Sequence, residues 1–269
     1  MKKSNKFVFS LLINLYSLTI LAQYKAIYRA NYVLDTSSMK QKTELTTLYI
    51  NENKTSYFFS QNFPKSDSVR KQILTQHAQT TAKEFSYQSG SLPKTEFKLF
   101  IEKKYSIQEL KVFKHIHISN YAYSAKNSLD WQLHTDALKI KNYVCNKATV
   151  KLEGRNYIAW YTPEIPISDG PYKFWGLPGL ILKVTDTENH YEFVLESFEK
   201  YSGNPPQRPY QDQKTFEVSY EDYVVISKEA IEKPLLARNR QGWTKLTSIN
   251  GQDPATYTSK KKQNPIERY

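Results

Sequence analysis

Tyr24-Lys25-Ala26-Ile27-Tyr28-Arg29-Ala30-Asn31-Tyr32-Val33-Leu34 is the stretch that decides the fold class. Its even positions hold Tyr24, Ala26, Tyr28, Ala30, Tyr32 and Leu34, while Lys25, Arg29 and Asn31 fall between them. A two-residue period is that of a strand with one buried face; an amphipathic helix would space its apolar residues three and four apart. Working outward, Thr43 to Asn51 and Thr55 to Gln61 make a hairpin around the short polar loop Glu52-Asn53-Lys54. Strand patterns return at Thr95 to Lys103, at Lys111 to Tyr123, and at Lys139 to Tyr143. Cys145 to Leu152 and Tyr157 to Thr162 flank the turn residues Glu153-Gly154-Arg155-Asn156, and Gly179 to Asp186 faces His190 to Phe198 across Thr187-Glu188-Asn189. The 21 tyrosines and 13 phenylalanines agree, because aromatic side chains pack well on a pleated surface.

Helical signals are sparse. Ser219 suits an N-cap for Tyr220 to Lys228, Glu221 and Asp222 suit the positive end of that helix, and Pro234 lies beyond its stop. Pro64 to Pro93 reads as a polar surface excursion, with one helical stretch around Val69 to Lys83. Prolines at 163, 166 and 171 and Gly170 exclude regular structure between Thr162 and Tyr172. After Asn239 the pattern predicts an extended polar tail.

Residues 1–22 read as a signal peptide. Lys2, Lys3 and Lys6 precede the apolar run Phe7 to Leu21, which Asn14 and Ser17 interrupt and which is too short to span a bilayer as a helix; Ala22 suits the position before a cut at Gln23. No cysteine stands near that point, so the expectation is an exported protein, periplasmic or secreted, without a lipid anchor. Residues 23–269 then form one β domain. Cys145 is the sole cysteine, so no intramolecular disulfide can form and the core alone must hold the fold. The formal charge of +12 falls to +9 once the three signal lysines are removed. The remaining lysines are dispersed, which argues against a nucleic-acid stripe.

The stretch Gly170 to Asp186 contains Gly176-Leu177-Pro178-Gly179-Leu180-Ile181 and resembles the GLPGLI family. The resemblance extends to Cys145-Asn146-Lys147-Ala148, to Gly154-Arg155, to Ala159-Trp160-Tyr161-Thr162-Pro163-Glu164-Ile165-Pro166, and to Asn264-Pro265-Ile266-Glu267. It implies an exported envelope protein of the Bacteroidota, of a kind encoded near outer-membrane uptake systems and without an established activity. It also implies the bowl-shaped curvature of an accessory domain found on some bacterial peptide-N-glycanases. Together with the alternation, the expected fold is mainly β: a single curved antiparallel sheet, a bowl or half-barrel, with one or two short helices. Gly176, Pro178 and Gly179 suit a rigid corner that launches the core strand beginning at Leu180 and Ile181.

Trp160, Tyr172, Phe174 and Trp175 are the expected lining of a ligand site, because they cluster around that corner and aromatic walls suit pockets. The ligand would be apolar, a peptide or a glycan, or the surface would dock on an outer-membrane protein. His115 and His117 share one side of a predicted strand, a spacing that can share a metal, yet His77, His134 and His190 offer no third ligand at metal-site spacing. No metal or cofactor is therefore expected. Cys145 reads as a small buried hydrophobe. Gly-x-Ser-x-Gly, phosphate-loop and His-Glu-x-x-His signatures are absent, which favours binding over catalysis. The rivals are a hydrolase of peptide or glycan, using Cys145 or paired carboxylates such as Glu153 with Glu164, and a scaffold of an outer-membrane complex.

Overall fold

The computed structural model describes residues 23–79, 92–126, 129–234, 237 and 263–268. The expected signal peptide and most of the expected tail lie outside them. Among the described residues twelve strands form one open sheet. They are β1 Gln23–Val33, β2 Gln41–Ile50, β3 Thr55–Ser60, β4 Leu99–Lys104, β5 Glu109–Ile116, β6 Ser119–Lys126, β7 Gln132–Ile140, β8 Tyr143–Leu152, β9 Arg155–Thr162, β10 Leu180–Asp186, β11 Tyr191–Tyr201 and β12 Thr215–Glu217. The helices are α1 Asn62–Ala78 and α2 Tyr220–Glu232. Strand order across the sheet is β12-β6-β5-β4-β3-β2-β1-β11-β10-β9-β8-β7. Nearly every neighbour is the next strand in sequence, paired antiparallel. β1 and β11 are neighbours without being sequential, and β12 returns from the loop around Tyr210 to run parallel to β6 at the edge of the otherwise antiparallel sheet, so the expected mainly antiparallel fold is observed.

The sheet is curved, and two phenylalanines measure the bend. Phe58 on β3 and Phe193 on β11 are three strand steps apart, about 14 Å across a flat sheet at the usual strand spacing. Their ring centroids lie only 6.1 Å apart. Alternate residues therefore converge on a concave face, where Tyr28, Leu48, Phe58, Ile101, Val112, Tyr157, Leu180 and Phe193 share the main core. The intervening residues Phe59 and Phe100 point to the convex face and join Phe63 of α1 and Tyr210 in a smaller cluster.

The predicted elements shift at places where a residue other than glycine takes the left-handed conformation of a turn. Lys111 to Tyr123 is two strands, because His117 takes a positive φ of 55° and Ile116 pairs with Ser119 across it. Lys139 to Tyr143 splits similarly: Lys141 has a φ of 54°, and Tyr143 opens β8. The excursion after Gln61 holds a 17-residue helix that starts before the predicted Val69, with Pro64 in its first turn, where a missing N–H is harmless. The helix predicted over Tyr220 to Lys228 continues to Glu232, and Ser219 caps it by accepting from the Asp222 N–H at 3.0 Å.

Candidate functional site beneath the second helix

The segment between β9 and β10 folds into the bowl. Gly179 makes this possible: its φ is 150°, and a Cβ there would stand 2.1 Å from the Thr162 carbonyl oxygen. The returning chain bonds to itself, with Leu180 N–H donating to Ile165 O at 3.0 Å and Ile181 N–H to Asp169 O at 2.9 Å. Fully buried Lys103 on β4 fastens the segment from the opposite wall, donating to Asp169 at 2.7 Å, to Gly170 O at 2.8 Å and to Phe174 O at 3.2 Å. Burial draws the Lys103 pKa down, and the Asp169 carboxylate opposes it.

Tyr172, Phe174 and Trp175 are consequently core residues. Tyr172 and Phe174 are wholly buried and Trp175 is 1% exposed, so their rings fill the bowl and leave no free surface for a ligand. Phe174 meets Tyr157 at 4.7 Å and Trp131 at 6.2 Å. Trp160 is half-buried and packs against the margin of the main core. Tyr172 and Phe174 meet at 6.0 Å, but the four aromatics do not form one open wall. Leu177, Leu180 and Ile181 are buried around the corner, and Gly176 also takes a positive φ, of 95°.

What does converge is a polar centre. Glu153 and Gly154 form a two-residue turn with φ of 46° and 75°, the primed geometry that matches strand twist. A Cβ on Gly154 would collide with Arg268 O at 2.2 Å, so the glycine lets the C-terminal segment lie against the turn. Arg268 N–H donates to Glu153 O at 2.8 Å, and Asn264 Nδ2 donates to Val33 O at 2.6 Å. Arg155, 2% exposed, ties this segment to β10 by donating to Pro265 O and to Asp186, at 2.8 and 2.7 Å.

Glu267 is thereby brought beside Lys173 and Glu153. Lys173 Nζ bonds both carboxylates, with Glu267 at 2.6 Å. Tyr172 and Tyr223 donate to Glu267 at 2.7 and 2.8 Å, and the Tyr172 hydroxyl also lies 3.3 Å from Glu153. Burial opposes the Lys173 charge, but Glu267, Tyr123 and Glu153 outweigh it and hold the ammonium well above its usual pKa. Burial, then the neighbouring Glu267 charge, pushes Glu153 above the usual carboxylate range despite Lys173.

Helix α2 lies over this centre, with a cavity at each end. Near its N-terminus a cleft of about 720 Å³ has apolar walls of Leu110, Tyr123, Leu129 and Tyr220, with Glu153 and Lys173 in its lining. Toward its C-terminal half a cavity of about 300 Å³ is walled by Tyr32, Phe97, Ile116, Tyr191 and Ile266, with Glu267 in its lining. Both volumes fall in the range of small-molecule sites. Tyr223, Glu267, Lys173 and Glu153 form the partition between them.

The other candidates separate. His115 lies in β5 and His117 in the turn just past its end, and both line the smaller cavity. The His115 ring stacks on Tyr210 at 4.3 Å on the convex side and bonds Asn120 at 2.8 Å. Among the described residues no three His, Cys, Asp or Glu side chains converge as metal ligands. Cys145 is buried as expected; burial pushes its thiol up to about 11, so it is protonated at neutral pH and a poor nucleophile. Glu164 does not meet Glu153: it accepts from the Val144 N–H at 2.8 Å, and Glu267 takes the expected place. Sequence reasoning left Lys173 and Glu267 without roles. The one available signal was a lysine set among Tyr172, Phe174 and Trp175, since a cation inside an aromatic run destined for a core needs an acid.

The chain is thus an open curved β-sheet that covers its concave face with its own loop, C-terminal segment and helix. Residues 153–183 match the model of a family described as a protein of unknown function, Porph_ging. That span carries Glu153, Lys173 and the Gly176–Gly179 corner. No curated protein matches the chain. Two crystal forms of PNGF-II superpose with TM-scores of 0.52 and 0.53 at 13% identity, covering 78% of this chain and 34% of theirs. The chain thus spans about a third of PNGF-II, and the likeness is one of fold. A LolA superfamily protein, NE2245 from Nitrosomonas europaea, aligns at 9% identity with a TM-score of 0.27, over 69% of this chain and 89% of that one. No helix among the described residues is long and apolar enough to cross a membrane.

Proposed function

We propose that the chain is an exported, GLPGLI-type envelope protein that binds an apolar or amphipathic ligand beneath α2, without catalysis. One observation carries the reading: the concave face is apolar, yet the helix that caps it leaves a cavity at each end instead of sealing against the sheet. Capping helices that only complete a core close such spaces, because interiors pack to crystal-like density. Export rests on the pattern of residues 1–22 and places the protein in the periplasm or outside the cell.

The test uses the chain from Gln23 and a neutral apolar fluorophore, N-phenyl-1-naphthylamine. Ala125 borders the larger cleft and Ala230 the smaller cavity. The parent is expected to bind the fluorophore, and Ala125→Trp or Ala230→Trp, by filling one space, is expected to weaken binding while the thermal transition persists. Equal binding by the parent and the Ala125→Trp/Ala230→Trp double variant, with the fold intact, would overturn the reading.

A further inference from the structure

The walls of the smaller cavity say what kind of ligand it takes, and the following rests on the ligand-binding reading above. Its charged lining comprises Glu96, Lys98, Lys114 and Glu267, with His115 and His117 nearby. Both acids are committed. Glu96 pairs with Lys42 at 3.2 Å, and Glu267 is held by Lys173, Tyr172 and Tyr223. Neither lysine has such a partner among the described residues. Lys114 is the sharper case, because it lies on β5 between Val112 and Ile116 and shares their parity, so its stem points to the concave, apolar side. It pairs in register with Leu99 and with Tyr121, neither of which offers a charge.

A half-buried lysine whose stem lies against aromatic and aliphatic walls finds no counter-charge on those walls. We infer that the ligand supplies that charge: the cavity beside α2 takes a single-chain amphiphile with an anionic head, its chain against Tyr32, Phe97, Ile116 and Ile266 and its head on Lys114, with Lys98 adding to the field. Glu267 sits too deep in its own hydrogen bonds to compete for Lys114. A cationic amphiphile would meet the uncompensated Lys114 there and is disfavoured.

The experiment displaces the bound naphthylamine fluorophore with dodecanoate, dodecanol and dodecyltrimethylammonium, which share one alkyl chain. Dodecanoate is expected to bind about tenfold more tightly than dodecanol, the scale of one charge-assisted hydrogen bond, with the ammonium weakest. Lys114→Met keeps the apolar stem and is expected to close the gap between acid and alcohol while leaving dodecanol affinity and the melting temperature unchanged. Raised salt should narrow the same gap in the parent. Equal affinity for the acid and the alcohol, or a gap that survives Lys114→Met, overturns the anionic-head assignment and leaves the ligand site standing. Failure of all three amphiphiles to displace the fluorophore overturns both.

Discussion

On the convex face Arg70 stands between Asp67 and Asp212, and on the concave face Lys173 stands between Glu153 and Glu267. The two arrangements look alike on paper, a cation bridging two carboxylates. Their surroundings differ. Asp212 is 45% exposed, and Lys71 adds a second cation at 3.1 Å from Asp67, which also accepts the Tyr210 N–H at 2.9 Å. Glu153 and Glu267 are 8% and 5% exposed and share one ammonium. Burial pushes Asp67 upward, but the Tyr210 N–H, Arg70 and Lys71 more than offset it and hold the carboxyl below its usual range. Glu153 faces the same burial with a second buried acid and one cation, and it ends above the usual range. Cation count and access to water, not the motif itself, set the direction. The convex group is a clasp that holds α1 to the Tyr210 loop; the concave group is an interior partition.

The two groups should differ most when their cations are removed. Lys173→Met leaves two carboxylates facing each other away from water, and the expected loss is about 3–5 kcal/mol of unfolding free energy, the scale of a broken buried pair. Urea denaturation measures it. Adding Glu153→Gln and Glu267→Gln to Lys173→Met should recover part of the loss by removing the unpaired charges. A loss under about 1 kcal/mol in the single variant would mean that water reaches the centre, and the partition would not exist. Arg70→Met is expected to lose less, about 1–2 kcal/mol, because Lys71 remains and Asp212 keeps its hydration. If Arg70→Met proves the more damaging of the two, the distinction drawn between the faces is wrong.

This difference between the faces also marks what could be read from sequence. The alternation over Tyr24 to Leu34 identified a buried-face strand, and β1 pairs along that stretch with both β2 and β11. Hairpins with turn residues at 52–54, 153–156 and 187–189 were legible for the same local reason, although β9 already begins at Arg155. Turns at His117 and Lys141 were not, since the positive φ falls on a histidine and on a lysine, neither of which announces it. The concave centre was illegible for a different reason. Lys173 and Glu267 are 94 residues apart, and no local pattern couples them. The aromatic cluster beside the corner was visible, yet its destination depended on curvature: on a flat sheet Tyr172 and Phe174 could line a wall, whereas on this bent one they fill the interior.

The smallest effects concern pH, and here the two faces should move in opposite directions. Asp67 and Asp212 are held below their unfolded values near 4, so their pairing stabilises the protein above that pH and the contribution is lost as pH falls through the folded values. Glu153 is raised, so above an unfolded value near 4 the unfolded chain has released a proton that the folded chain still holds. Its contribution therefore declines as pH rises from that value to the folded one. Urea midpoints between pH 3 and pH 7 separate the two contributions. Asp67→Asn is expected to lower stability at pH 7 and to flatten the acid limb. Glu153→Gln, which keeps an acceptor for Lys173 and removes the ionisation, is expected to remove the decline on the neutral side while leaving the acid limb intact. Parallel pH profiles for the two variants would show that both carboxylates face equivalent surroundings, and the contrast between clasp and partition would fail.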